Sequence, residues 1–197
     1  MKRLHIKKLR GIYFHGIPNS SADIKRFKRI FQGQELKRYS ELQGFSIYTQ
    51  TEVEKVMSEI ENINLIQLPY NLLSKSKFSL KYLQDLKKSQ IELNVRSIFL
   101  QGLLLNEKFK IKNTQFDEKT LNLYFQKLKT FGIKPISICM SFINRLSLFD
   151  GIILGINSKK QLKELYRESL NAAELDIDFD SFQDLNDWTS DPRNWKI

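Results

Sequence analysis

Three groups of residues have types and spacings that suggest chemistry. Asp176, Asp178 and Asp180 alternate like the first ligands of a calcium loop, but Ser181 stands where that loop needs its turn glycine and Asp187 where it needs a bidentate glutamate. The stretch reads as an acidic tail instead. Cys139, the single cysteine, lies on a helical stripe with apolar neighbours, which fits a buried thiol better than a nucleophile. Its solitude excludes an internal disulfide and a cysteine-based zinc site and fits a reducing compartment, and no metal ligand set is expected. The third group is basic: residues 1–40 hold eleven Lys and Arg against Asp23 and Glu35, within a net charge of +10. Such charge steers phosphorylated ligands or nucleic acid. The basic residues lack regular aromatic interleaving, however, and lysines on outer helix faces, partly matched by the acids after Asn171, account for the charge better. Nucleic acid is not expected as a partner.

The elements that would position these groups follow from periodicity. Short apolar runs at Gly11–Phe14, Gly44–Tyr48, Ile63–Leu68, Glu92–Phe99 and Gly151–Ile156 suit strands buried on both faces. Between and after them the period turns helical, with stripes at Ile24/Phe27/Phe31, Val53/Val56/Met57/Ile60, Leu80/Leu83/Leu86, Leu121/Tyr124/Phe125/Leu128, Ile138/Phe142/Leu146 and Leu162/Leu165/Tyr166/Ser169. These stripes are expected to be core faces. Ser20 or Ser21, Thr49 or Thr51, and Ser158 are candidate N-caps. Alternation of strand and helix implies an α/β protein with a parallel sheet, either an open doubly wound sheet or a barrel. The G-x-G-x-x-G fingerprint is absent, and periodicity leaves the two open. At 197 residues the chain can bury a substantial core. No stretch approaches the roughly 18 uncharged apolar residues of a membrane span, and the basic start lacks a secretory apolar core. A cytoplasmic protein without a membrane partner is expected.

Five segments, in order, resemble the C-terminal part of the aldo-keto reductase family, NAD(P)H-dependent enzymes on a (β/α)8 barrel. Tyr13-Phe-His-Gly16 resembles the fourth strand with its catalytic His, and Gly44-Phe-Ser the fifth strand's Gly-Val-Ser. Ile66-Gln-Leu-Pro-Tyr-Asn-Leu-Leu73 is similar to the sixth strand and its loop. Val95-Arg-Ser-Ile-Phe-Leu-Gln-Gly-Leu-Leu104 is similar to the seventh strand, with Ile98 in place of the usual Pro. Ile153-Leu-Gly-Ile-Asn-Ser-Lys-Lys-Gln-Leu162 is similar to the eighth strand and the start of its helix. The resemblance implies an incomplete TIM (β/α)8 barrel, parallel strands 4–8 with their helices, over residues 1–170, followed by an acidic C-terminal tail at 171–197. A complete barrel needs about 250 residues and at least about 200, which agrees with a partial one.

In the family, hydride passes from nicotinamide to a carbonyl carbon while a Tyr hydroxyl, tuned by Lys and Asp, protonates the oxygen. No segment here matches the units that carry those three residues. The resemblance transfers only His15 as a catalytic residue; Tyr13 and Tyr48 do not stand at the donor's position. It places Ser46 and Gln67 on the nicotinamide carboxamide, and Arg96 where an aromatic often stacks on the ring. Ser97, Phe99, Gln101 and Gly102 fall in the loop over the pyrophosphate. Gly155, Ile156, Asn157 and Ser158 fall at the adenosine phosphate end, and Gln161 and Glu164 on the adenine side, where Leu165 departs from the usual Asn. Lys159 and Lys160 would suit a 2′-phosphate, favouring NADP, with NAD still open. The expected function is that of a truncated aldo-keto reductase-like protein. Its reduction of a small carbonyl substrate to an alcohol would be impaired or lost, since a missing acid removes roughly 10²–10⁴ in rate. The alternative is a non-catalytic half-barrel that self-associates or binds a partner chain through the open sheet edges at Gly11–Phe14 and Gly151–Ile156.

Overall fold

Strand and helix alternate from Leu9 onward. The computed structural model describes residues 6–172 and 175–195. These form two compact units: the first holds residues up to Pro69 with Lys77–Arg96 and Leu148–Ile152, the second Tyr70–Ser76, Ser97–Ser147 and the residues from Ile153 on.

In the first unit, β1 (Leu9–His15), β2 (Ser40–Ser46), β3 (Leu65–Pro69), β4 (Glu92–Arg96) and β5 (Gly151–Ile153, its last residue belonging to the second unit) make one sheet in chain order. Parallel registers pair Tyr13 with Gly44, Gly44 with Leu65 and Gln67 with Asn94. The crossovers are α1 (Ser21–Gln32) with the short α2 (Gln34–Tyr39), then α3 (Gln50–Glu59), then α4 (Leu80–Lys88). α1, α3 and α4 each start where a polar side chain satisfies a free backbone amide, whereas α2 follows Gly33 without one. Ser20 Oγ accepts from Asp23 N at 3.1 Å, and Thr49 and Glu52 form a reciprocal capping box. The outer side of the sheet carries the core. Phe31 and Phe45 are fully buried and stack with ring centroids 5.2 Å apart, and Phe27 meets Phe45 edge-on at 5.2 Å.

The inner side is polar and tightly closed. Tyr13 Oη on β1 accepts from Asn94 Nδ2 on β4 at 2.6 Å, spanning two intervening strands, so the parallel sheet is curled into half a barrel. Such an approach needs room at β2: a Cβ on Gly44 would lie 1.5 Å from the Leu65 carbonyl oxygen. The last strand is fixed by Asp150. Its backbone N donates to Leu93 O and its Oδ2 accepts from Leu93 N, both at 2.8 Å, while Lys87 Nζ sits 2.6 Å from its carboxylate.

The second unit contains α5 (Glu118–Phe131), α6 (Pro135–Leu146), α7 (Lys159–Ala172) and the single-turn α8 (Asp187–Ser190). Tyr124, Phe125, Ile138 and Phe142 are buried there, as are Phe182, Leu185 and Trp195 from the C-terminal stretch. Asp184 accepts from the backbone amides of Lys75 and Ser76 at 3.1 and 2.7 Å, and Trp195 Nε1 donates to Thr189 O at 3.1 Å.

Three expectations need correction. β4 ends at Arg96 rather than Phe99, because Ser97 takes a left-handed φ of 59° and turns the chain away. β5 stops at Ile153. The stripe on α7 is not a core face: Leu162 and Tyr166 are 51% and 68% exposed, and Leu170 is 59% exposed. The helix turns Glu168 inward instead, where its carboxylate accepts from Ser137 Oγ at 2.9 Å and Lys134 Nζ at 2.8 Å. The side so chosen buries Glu168 and Ala172, half-buries Leu165 and leaves Leu162, Tyr166 and Leu170 out.

Gly44→Ala forces the backbones of β2 and β3 apart and is expected to cost about 3 kcal/mol or more. Chemical denaturation of the variant against the parent chain measures this directly.

Candidate active site at the strand ends

The C-terminal ends of β1–β3 lie level: His15 is in register with Ser46, and Ser46 with Gln67. Ser46 is buried, Gln67 half-buried and His15 exposed. Ser46 Oγ donates to Gln67 Oε1 at 2.7 Å. No described residue accepts from Gln67 Nε2 or donates to Ser46 Oγ, so the pair offers one amide donor and one hydroxyl acceptor side by side. One pleat further on, Arg96 Cζ lies 4.1 Å over the Tyr48 ring, and Arg96 Nη2 donates to Ile47 O at 3.3 Å. The His15 ring is 6.3 Å from that of Tyr48. The first unit therefore brings His15, Ser46, Gln67 and Arg96 to one end of one sheet, where barrel active sites form.

Tyr48 is the residue whose part the sequence did not announce. Its spacing of two from Ser46 in the expected Gly44–Tyr48 run was the available signal, although β2 itself ends at Ser46 and Tyr48 lies in the bend after it. Tyr13 lies deeper and hydrogen bonds to Asn94; burial pushes its phenol pKa up, which suits a structural role rather than a proton donor. At the opposite strand ends, Lys8, Lys37, Ser40, Glu41, Gln43, Asn62 and Asn64 line a polar cavity of about 400 Å³. Gln43 Nε2 donates there to Phe31 O and Asn62 O, and its Oε1 is, among the described residues, the buried side-chain polar atom that lacks a partner.

The remaining candidates belong to the second unit. Ser97, Leu100, Gln101 and Gly102 all have positive φ, at 59°, 45°, 55° and 89°, so the loop after β4 is held in a conformation that costs free energy at its non-glycine positions. Phe99 is half-buried and Gln101 exposed. Gly155, Ile156, Asn157, Ser158, Lys159, Lys160, Gln161 and Glu164 are all exposed. Ser158 caps α7, accepting from Gln161 N at 3.2 Å, and Gln161 Oε1 accepts from Asn157 N at 2.8 Å. Two of the backbone amides that an anion would use are thus engaged by side chains at the helix's own start.

No protein-family model and no curated protein matches this sequence. Solved structures do match. An aldo-keto reductase of Bacillus halodurans in its apo form is 14% identical with a TM-score of 0.70, covering 96% of this chain and 68% of its own. The fold is aldo-keto reductase-like. A thermostable aldo-keto reductase solved with the inhibitor epalrestat (TM-score 0.61, 18% identity) and a glycerol dehydrogenase of Gluconobacter oxydans (0.54, 11%) match over 92% and 90% of this chain. The chain spans only 62% and 63% of those two proteins. With this fold the five strands correspond to part of a TIM barrel.

Among the described residues, no group of three or more His, Cys, Asp or Glu is placed to hold a metal ion, and no helix is long and apolar enough to cross a membrane. Asp176 pairs with Arg145 at 3.6 Å, and Asp178 caps its own turn by accepting from Asp180 N at 3.0 Å. Cys139 is fully buried beside the Tyr124 hydroxyl at 3.6 Å, and burial pushes its thiol up to about 12. The folded protein thus keeps its proton where an unfolded thiol would lose it from pH about 9 upward, so stability is constant below that and falls between pH 9 and 12 by at most about 1.4 kcal/mol per pH unit from this group. Alkylation at pH 8 is expected to leave native Cys139 untouched and to modify it fully in denaturant, as mass spectrometry would read.

Proposed function

We propose that this chain binds a nicotinamide dinucleotide through an aldo-keto reductase-type site, in the manner of proteins that reduce a small carbonyl compound to an alcohol. The observation that carries the reading is the Ser46–Gln67 hydrogen bond of 2.7 Å at adjacent strand ends, with the Gln67 amide donor unspent. When bound, the cofactor supplies hydride. Gln67 Nε2 donates to the carboxamide oxygen, Ser46 Oγ accepts from its NH2, and His15 orients a carbonyl oxygen at the mouth of the site. The loop at 97–102 and the residues 155–158 are read as serving the phosphates, with Gln161 and Glu164 on the adenine side and Lys159 and Lys160 favouring NADP over NAD. Proton donation is not supplied by Tyr13, engaged with Asn94, or by Tyr48, covered by Arg96. Turnover by this chain is accordingly read as at least about 100-fold below that of an enzyme with a tuned acid.

Fluorescence titration with NADPH and NADH tests the binding. Gln67→Ala is expected to weaken the better ligand about five- to tenfold, the size of one or two lost hydrogen bonds. The affinity for adenosine 2′,5′-bisphosphate, which lacks the nicotinamide, should stay unchanged. Failure of the parent chain to bind either dinucleotide at millimolar concentration overturns the reading.

A second reading is favoured by the exposed row Leu162, Tyr166 and Leu170, spaced at i, i+4 and i+8 on α7. In that reading the chain acts by associating with itself or with another chain. Light scattering should then show assembly at micromolar concentration, and Leu162→Glu with Tyr166→Lys should shift it to monomer. A monomeric parent chain rejects self-association.

A further inference from the structure

Arg96 pairs in register with Pro69, one pleat beyond Gln67 on β3. Residues rise about 3.3 Å along a strand and neighbouring strands lie about 4.8 Å apart, so the backbones of Arg96 and Gln67 are roughly 8 Å apart. The guanidinium is held rather than roaming. It lies 4.1 Å over the Tyr48 ring centroid, and Nη2 donates to Ile47 O at 3.3 Å. Tyr48 follows in the bend just beyond the end of β2, two residues after Ser46. A fixed positive charge therefore flanks the Ser46–Gln67 pair, and it covers an aromatic face that would otherwise attract a cation.

We infer that Arg96 makes this site select the reduced, uncharged dihydronicotinamide over the oxidised nicotinamide, whose ring carries a positive charge. The inference rests on the reading that Ser46 and Gln67 hold the carboxamide. The two redox forms share the same carboxamide, sugars and phosphates, and differ at the ring by one hydride and one unit of charge. Every contact outside the ring consequently contributes equally to both, and the guanidinium discriminates between them. A like charge flanking the ring, in a half-buried site between water and protein interior in dielectric response, lowers the affinity of the charged form on the order of fivefold. An aromatic ring uncovered at this level would act in the opposite sense, since its face stabilises a cationic ring.

Dissociation constants for NADPH and NADP⁺ (and NADH with NAD⁺), by calorimetry on the full chain, test this. The parent chain is expected to bind the reduced form about fivefold or more tightly than the oxidised one. Arg96→Gln should bring the ratio close to one, chiefly by improving the oxidised form, and Arg96→Lys, which keeps the charge but not the stacking, should retain most of the ratio. Adenosine 2′,5′-bisphosphate should bind the parent and both variants alike. A ratio unchanged between parent and Arg96→Gln, with binding intact, overturns the inference and leaves the cofactor reading standing. Absence of binding by either redox form, in parent and Arg96→Lys alike, overturns the cofactor reading and the inference with it.

Discussion

Leu65 closes the inner face of the sheet. Its carbonyl oxygen occupies the space that a Cβ on residue 44 would need. That close approach of β2 and β3 accompanies the curl by which Tyr13 on β1 reaches Asn94 on β4. The curl in turn determines what the strand ends can do. In a flat sheet, side chains of successive strands on one face stand parallel and diverge from any common ligand; in a curled one they converge. Ser46 and Gln67 meet, and Arg96 reaches across to the Tyr48 ring, because the sheet bends toward them. The backbone geometry at a glycine thus sits upstream of the hydrogen bond formed two residues further along β2.

The two sets of candidate residues differ in how prepared they are. At the strand ends the pair is already formed, with unspent hydrogen-bonding capacity on one amide and one hydroxyl. At the start of α7, Ser158 and Gln161 satisfy the helix's own amides. A ligand there has to compete with these internal contacts, or use the amides that they leave over. Charge at that end comes from exposed lysines, whose attraction for phosphate falls with salt.

Much of this was legible in the residues. Gly11–Phe14 and Ile63–Leu68 lie largely within strands because buried parallel strands are apolar on both faces, and Ser20 and Thr49 cap helices because a hydroxyl before an amphipathic stretch has that use. The half-barrel came from five matched segments, since periodicity alone left an open sheet equally possible. Other features had no local sign. Nothing in the Val95–Phe99 run announces that Ser97 turns to positive φ and ends β4. α2 is too short to show a period. The stripe Leu162/Tyr166 looked like a core face because hydrophobicity is the ordinary reason for burial; here a carboxylate bonded to Ser137, Lys134 and Arg167 decided which side of the helix went in. The stacking of Arg96 on Tyr48 depends on curl, which a linear pattern does not carry.

Glu168 gives α7 an unusual kind of seat. Leucines tolerate sliding and rotation, because van der Waals contact is forgiving of direction. A carboxylate wedged among Ser137 Oγ, Lys134 Nζ and the Arg167 guanidinium is not forgiving, since each bond weakens steeply off axis. The helix is therefore pinned in azimuth like a key in a slot. It has no low-energy way to roll its oily flank out of water.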